Sequence, residues 1–175
     1  YEWVSGFYGN GGGIVSKINA HTIITNSVIS GNSAVEGDIW ENQGRGGGLF
    51  AEEFGSFEII NSTISDNHAI MGGGLYLWYG ADADIFNSNF SNNDGAWGSG
   101  IGIDDQYGGS TLRLDNSSIL DNNYDTAGGG ISAIGTSASN VKIHDSKINN
   151  NNSDDFGGGI FCQPCNLSIY DSEII

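Results

Sequence analysis

The stretch of sequence that decides the fold is GGGLFAEEFGSFEIINSTISDN, residues 46–67. It opens with a glycine run followed by an aliphatic residue and closes with Asn-Ser-x-Ile-x-x-Asn. Between these motifs, Phe57-Glu58-Ile59 alternates apolar and polar side chains with the two-residue period of a β-strand. The stretch therefore predicts short strands separated by tight turns.

Both motifs recur along the chain, at intervals of about 26 to 30 residues with one longer step of about 35. The glycine run returns at residues 11–14, 72–75, 128–131 and 157–160, with a degenerate copy at 98–101. The second motif returns as Asn-Ser or Asp-Ser at residues 26–27, 87–88, 116–117, 145–146 and 171–172. A unit this short cannot bury its own apolar face, but copies stacked about 4.8 Å apart share one continuous core.

We therefore predict an all-β fold, a right-handed parallel β-helix (β-solenoid) of about six coils. Residues 1–175 are predicted to form a single domain that is a segment of a longer protein or filament, with a loop insertion at 36–46. Stacking also predicts two asparagine ladders at the corners of the coils. One contains Asn26, Asn61, Asn87 and Asn116, and the other Asn32, Asn67, Asn93, Asn122 and Asn151.

The pairing of Ile/Phe-x-x-Asn with Gly-Gly-Gly-Ile/Leu resembles the repeats of chlamydial polymorphic membrane proteins, Phe-x-x-Asn and Gly-Gly-Ala-Ile/Leu/Val. Similar repeats occur in autotransporter-like passenger proteins with pectate-lyase-like β-helices. The resemblance covers nearly the whole chain and implies a surface location and a role in adhesion. The chain departs from the family pattern in having Gly where Ala is frequent.

The formal net charge of −16, with only five Lys and Arg residues, argues against nucleic acid as a partner and against insertion into or attachment to an anionic membrane. It is compatible with divalent cations. We predict no required cofactor, and we regard Ca²⁺ as the candidate ion, with possible ligands Asp104, Asp105, Asp154 and Asp155.

Alignment of the coils brings four polar residues into one outward-facing patch, Arg113, Asp115, Lys142 and His144. A polysaccharide lyase needs a base beside the α-proton and a cation to neutralise the sugar carboxylate, and this patch offers both. The alternative is that opposite charges on neighbouring strands simply pair.

A second outward column is aromatic and predicts a ligand-binding surface formed by Phe50, Tyr76, Trp78 and Phe161. Such rings stack on sugars, contact a protein, or lie beneath a loop such as the insertion that carries Trp40. The only two cysteines, Cys162 and Cys165, predict a local disulfide or a small buried thiol. A disulfide would fit an oxidising compartment.

The sequence favours a non-catalytic extracellular or cell-surface scaffold, adhesin stalk or filament subunit, and leaves a glycan-binding or glycan-cleaving protein as the alternative. The expected partners are a second copy stacked end to end, or a glycan or other component of the cell surface.

Overall fold

A computed structural model describes residues 11–34, 44–106, 108–124 and 127–175, and the regular elements in these ranges are all β-strands. Within these ranges, twenty strands wind around one axis and form three faces. The first face contains β1 (Ile14–Lys17), β5 (Leu49–Glu52), β9 (Leu75–Trp78) and β12 (Ile101–Asp105). The second contains β2 (His21–Thr25), β6 (Ser56–Ile60), β10 (Asp82–Phe86) and β13 (Thr111–Asp115).

The third face is a six-stranded sheet of β3 (Val28–Ser30), β7 (Thr63–Ser65), β11 (Asn89–Ser91), β14 (Ser118–Leu120), β17 (Lys147–Asn149) and β20 (Glu173–Ile174). Two long strands pass through the first two faces and join them into one ten-stranded sheet, β16 (Ile131–His144) and β19 (Ile160–Tyr170). Four two-residue strands follow the third face, β4 (Ser33–Ala34), β8 (His68–Ala69), β15 (Asn123–Tyr124) and β18 (Asn152–Ser153).

Every strand pair in the described ranges is parallel, and the coils lie in register apart from one shift between β16 and β19. On the third face, four strands have a neighbour on both sides, β7, β11, β14 and β17. The stack thus encloses about four full turns. The predicted count of about six is too high for enclosed turns because it includes the two end coils.

The core is a column of aliphatic residues inside the coils, as the two-residue alternation predicts. Ile59, Ile85, Leu114 and Ile143 occupy equivalent positions on the second face and are fully buried. The first face contributes a matching row, Leu49, Leu75, Ile101 and Ile131. Because each apolar side chain packs against its counterpart above and below, the core is continuous along the axis.

The glycine run is needed for two separate reasons. Its first residue has a left-handed backbone, with φ of 64° at Gly72 and 61° at Gly128. Its third residue touches the next coil, since a Cβ on Gly74 would lie 2.5 Å from the carbonyl oxygen of Gly100. A side chain at the third position would therefore push the coils apart.

Residues 36–43 of the predicted loop insertion, including Trp40, lie outside the described residues. The described part of the insertion shows Arg45 in a parallel bridge with Met71. Within the described ranges we find no helix with the length and apolar character needed to cross a membrane.

Candidate functional site

The predicted charged patch lies on the second face, where parallel register aligns its members. Arg113 is opposite Lys142 and Asp115 is opposite His144 on the adjoining strands β13 and β16. Asp84 on β10 is opposite Arg113, and its Oδ1 accepts a 3.0 Å hydrogen bond from Arg113 Nη1. Of the two cations in the patch that could neutralise a sugar carboxylate, Arg113 is therefore already paired with a carboxylate of the neighbouring coil.

His144 lies among three carboxylates from three coils. Its Nδ1 is 3.2 Å from Asp115 Oδ1 and 3.5 Å from Asp145 Oδ2, and its Nε2 is 3.9 Å from Asp171 Oδ2. The hydrogen bond to Asp115, together with the negative charges of Asp145, Asp115 and Asp171, raises the pKa of His144 above the ordinary value of 6.5. A raised pKa favours the protonated imidazole, which cannot act as a general base.

The same cluster has the composition of a metal site. Asp115, His144 and Asp145 each offer a ligand atom, and these three atoms lie within 4.8 Å of one another. No other group of three such ligands occurs among the described residues. Sequence reasoning named Asp115 and His144 but missed Asp145 in this role, although it directly follows His144 in the chain.

An open groove of about 540 Å³ begins beside this cluster and follows the corner between the second and third faces. Its lining is polar and includes Asp145, Lys147 and three asparagines of the first predicted ladder, Asn61, Asn87 and Asn116. This row lies on the outside of the corner, where Asn116 Nδ2 donates to Asn87 Oδ1 at 2.5 Å, so the predicted ladder forms between these two coils. Asn26, Asn61, Asn87 and Asn116 have φ between 45° and 50°, and this left-handed backbone points their side chains to solvent.

The inner ladder at this corner is made by the serines that follow those asparagines. The N–H of Ser62 donates to Ser88 Oγ, that of Ser88 to Ser117 Oγ, and that of Ser117 to Ser146 Oγ, at 3.0–3.1 Å. Ser27 and Ser172 continue the row at the two ends. The signal was present in the sequence, because every copy of the second motif contains this serine.

The second asparagine row does form a ladder. The Nδ2 groups of Asn32, Asn67, Asn93 and Asn122 each donate to the Oδ1 of the next asparagine at 3.0–3.1 Å, ending at Asn151. Asn67, Asn93 and Asn122 are buried, and their Nδ2 groups also donate to a carbonyl of the preceding coil. Each buried amide is thus satisfied along the axis.

The four residues of the predicted aromatic column lie in different environments. Phe50 and Tyr76 are each 1% exposed and pack with Met71, so the prediction that they form a binding surface is wrong. Trp78 is half-buried, and the Arg45 guanidinium lies 4.1 Å from the centre of its ring. Arg45, which belongs to the predicted insertion, therefore covers part of the Trp78 ring.

Phe161 has a different environment, because it borders an open cleft of about 400 Å³. Its ring stacks on that of Phe156, with 5.3 Å between the ring centroids. The cleft is completed by Trp97, Ile134, Gly135, Gln163 and Pro164. Sequence reasoning missed Trp97 and Phe156, which precede the glycine runs and showed no strand alternation.

The predicted Ca²⁺ ligands Asp104 and Asp105 do not converge. They are consecutive residues of β12 and so point to opposite sides of the strand. Asp105 accepts hydrogen bonds from the N–H groups of Gly108 and Ser110, whereas Asp104 accepts from Tyr76 and Gln106. Asp154 and Asp155 are exposed and belong to no group of three ligands among the described residues.

The two cysteines form a disulfide within β19. Cys165 packs against the main core, and the bond lies where the register between β16 and β19 shifts. Of the two predicted alternatives, the structure has the local disulfide.

Comparison of the chain with known protein families agrees with this architecture. A family model described as "Right handed beta helix region" matches residues 5–174. The chain belongs to this right-handed β-helix family, which confirms the predicted fold class. No curated protein matches the chain, and no solved structure does.

Proposed function

We propose that the protein is a non-catalytic extracellular scaffold. The stacked coils of its β-solenoid provide length and rigidity and do not form a catalytic site. The observation that carries this proposal is the use of its repeated polar side chains. The asparagine ladder, the serine ladder and the pairs Asp84–Arg113 and Asp115–His144 all connect one coil to the next. These groups connect neighbouring coils and stabilise their stacking.

The C-terminal coil supports a filament or stalk role. Its inward positions Leu167, Ile169 and Ile174 are 38–42% exposed, while the equivalent Val141, Ile143 and Ile148 one coil earlier are at most 1% exposed. A further coil on this end, continued from the same chain or supplied by a second copy, would remove that apolar surface from water. We propose that a second copy supplies such a coil by end-to-end stacking.

The proposed location is the cell surface or the extracellular space. It is supported by the resemblance to the repeats of chlamydial polymorphic membrane proteins and autotransporter-like passengers, and by the disulfide, which is typical of oxidising compartments. An adhesive role rests on the same resemblance.

Electron microscopy of the purified chain, combined with sedimentation velocity, tests the stacking. We expect rods longer than one chain whose length increases with protein concentration. Ile169→Lys places a charge on the open apolar end and should leave single rods. Ser168→Lys places the same charge on the outer face of the same strand and should not change rod length. Single short rods of the unmodified chain at high concentration would overturn end-to-end stacking.

The cleft at Phe161 favours a second candidate function, binding of a neutral glycan. Its three aromatic side chains offer flat apolar surfaces of the kind that stack on sugar rings, and the net charge of −16 would repel acidic glycans. Binding of neutral oligosaccharides that is lost in Phe161→Ala, but kept in Tyr170→Ala on another part of the surface, would support this function. Equal binding by both variants would contradict it.

Glycan cleavage by the charged patch is the remaining alternative. It requires Arg113 to leave Asp84, or Lys142 on the next strand to act in its place. Release of unsaturated products from acidic glycans, abolished in Arg113→Ala, would establish an enzyme and overturn the non-catalytic proposal.

A further inference from the structure

We propose that Asp115, His144 and Asp145 bind a divalent transition-metal ion, for which Zn²⁺ serves as the test ion. The site is independent of the scaffold role. Two neighbouring strands build it, because Asp115 ends β13, His144 ends β16 directly opposite, and Asp145 follows at the corner. The stacked backbone therefore holds the ligands in place before any ion binds.

The distances between the ligand atoms suit a small tetrahedral ion. Zinc bonded to nitrogen and oxygen at about 2.0–2.2 Å has neighbouring ligand atoms about 3.3–3.6 Å apart in a tetrahedron. His144 Nδ1 lies 3.2 Å from Asp115 Oδ1 and 3.5 Å from Asp145 Oδ2. Three protein ligands would leave the fourth position for water or for an anionic ligand.

The donor set selects the class of metal. An imidazole nitrogen with two carboxylate oxygens suits Zn²⁺, Cu²⁺ or Ni²⁺, whereas Ca²⁺ prefers six to eight oxygen ligands. The proposed site thus differs in both position and metal from the Ca²⁺ ligands that the sequence indicated.

The other ring nitrogen of His144 provides an independent argument. Nδ1 contacts Asp115 Oδ1 at 3.2 Å, so a metal ion would replace the proton shared there, while Nε2 lies 3.9 Å from Asp171 Oδ2 in the next coil. Metal-binding histidines usually have such a carboxylate behind the ring. On the opposite side, Asp145 lines the open groove with Lys147 and Asn116, so an ion and its fourth ligand can enter from solvent.

Isothermal titration of the chain with ZnCl₂ near neutral pH tests the site. We expect one Zn²⁺ per chain, and at least about tenfold weaker binding in His144→Gln and in Asp145→Asn. The matched control is His68→Gln, because His68 Nδ1 also contacts a carboxylate, Asp94, at 2.8 Å but belongs to no group of three ligands among the described residues. This variant should bind Zn²⁺ as the unmodified chain does.

Circular dichroism of each variant shows whether the β-helix is retained. If His144→Gln does not fold, the Zn²⁺ affinity of Asp145→Asn tests the site. Absence of Zn²⁺ binding by the unmodified chain would overturn the proposal. An equal loss of Zn²⁺ affinity in His144→Gln and His68→Gln would also overturn it. So would a Ca²⁺ affinity equal to that for Zn²⁺, because either result would indicate general attraction of cations to an acidic surface.

Discussion

At the scale of single residues, asparagines at two corners of each coil have different effects on stability. Asn93 is buried, and its Oδ1 accepts from both the N–H and the Nδ2 of Asn67 while its Nδ2 donates to Asn122. Asn93→Ala leaves several buried polar groups unpaired, and we expect a loss of about 2–4 kcal/mol in the free energy of unfolding. The exposed control Asn116→Gly keeps the left-handed backbone and should lose less than about 1 kcal/mol. Urea denaturation measures both, and equal losses would contradict an energetic role for the ladder.

Glycines also differ by position at this scale. A Cβ on Gly100 would lie 2.6 Å from the carbonyl oxygen of Gly130, whereas a Cβ on Gly109 would meet nothing closer than 3.9 Å. We expect Gly100→Ala to lower the free energy of unfolding by more than about 2 kcal/mol, because the clash is with backbone that cannot rotate away. Gly109→Ala should leave the free energy of unfolding almost unchanged. Similar thermal midpoints for the two variants would show that the coils are not packed this closely.

His144 should make stability depend on pH in a defined direction. Its pKa is raised in the folded state by Asp115, Asp145 and Asp171, so the charged imidazole stabilises the fold fully below the unfolded value of 6.5. The contribution is lost as the pH rises through the higher folded pKa. The stability difference between the metal-free unmodified chain and His144→Gln should therefore shrink above pH 6.5, as denaturation at a series of pH values would show. A difference that grows with pH would contradict this assignment.

At the scale of elements, the disulfide of β19 should have a local effect. Cys162 and Cys165 are three residues apart, and so short a ring removes little entropy from the unfolded chain, about 2 kcal/mol or less in free energy. We expect reduction to leave the β-helix folded and to change the cleft beside Phe161, Gln163 and Pro164. Circular dichroism with and without reductant, compared with the Cys162→Ser/Cys165→Ser variant, measures this. Global unfolding on reduction would contradict it.

At the scale of the whole molecule, net charge opposes the proposed end-to-end stacking. Two chains that each carry a charge of −16 repel, and salt screens this repulsion, since the Debye length falls from about 30 Å at 0.01 M to about 8 Å at 0.15 M. We expect longer rods at higher ionic strength in sedimentation velocity, with Ile169→Lys remaining single. Rods that shorten with added salt would show that stacking depends on charge pairs rather than on the apolar ends of the core.

The sequence was sufficient to predict the parallel β-helix and the stacking of its coils, because strand period and repeat length are local properties that stacking only repeats. It also identified Asn67, Asn93 and Asn122 as a ladder. Which side chains at a corner turn inward could not be predicted, because it depends on the backbone of the folded coil: the left-handed asparagines are exposed and the following serines lie inside. Burial of Phe50 and Tyr76, and the convergence of Asp145 and Asp171 on His144, likewise depend on contacts between distant residues, which no repeat pattern specifies.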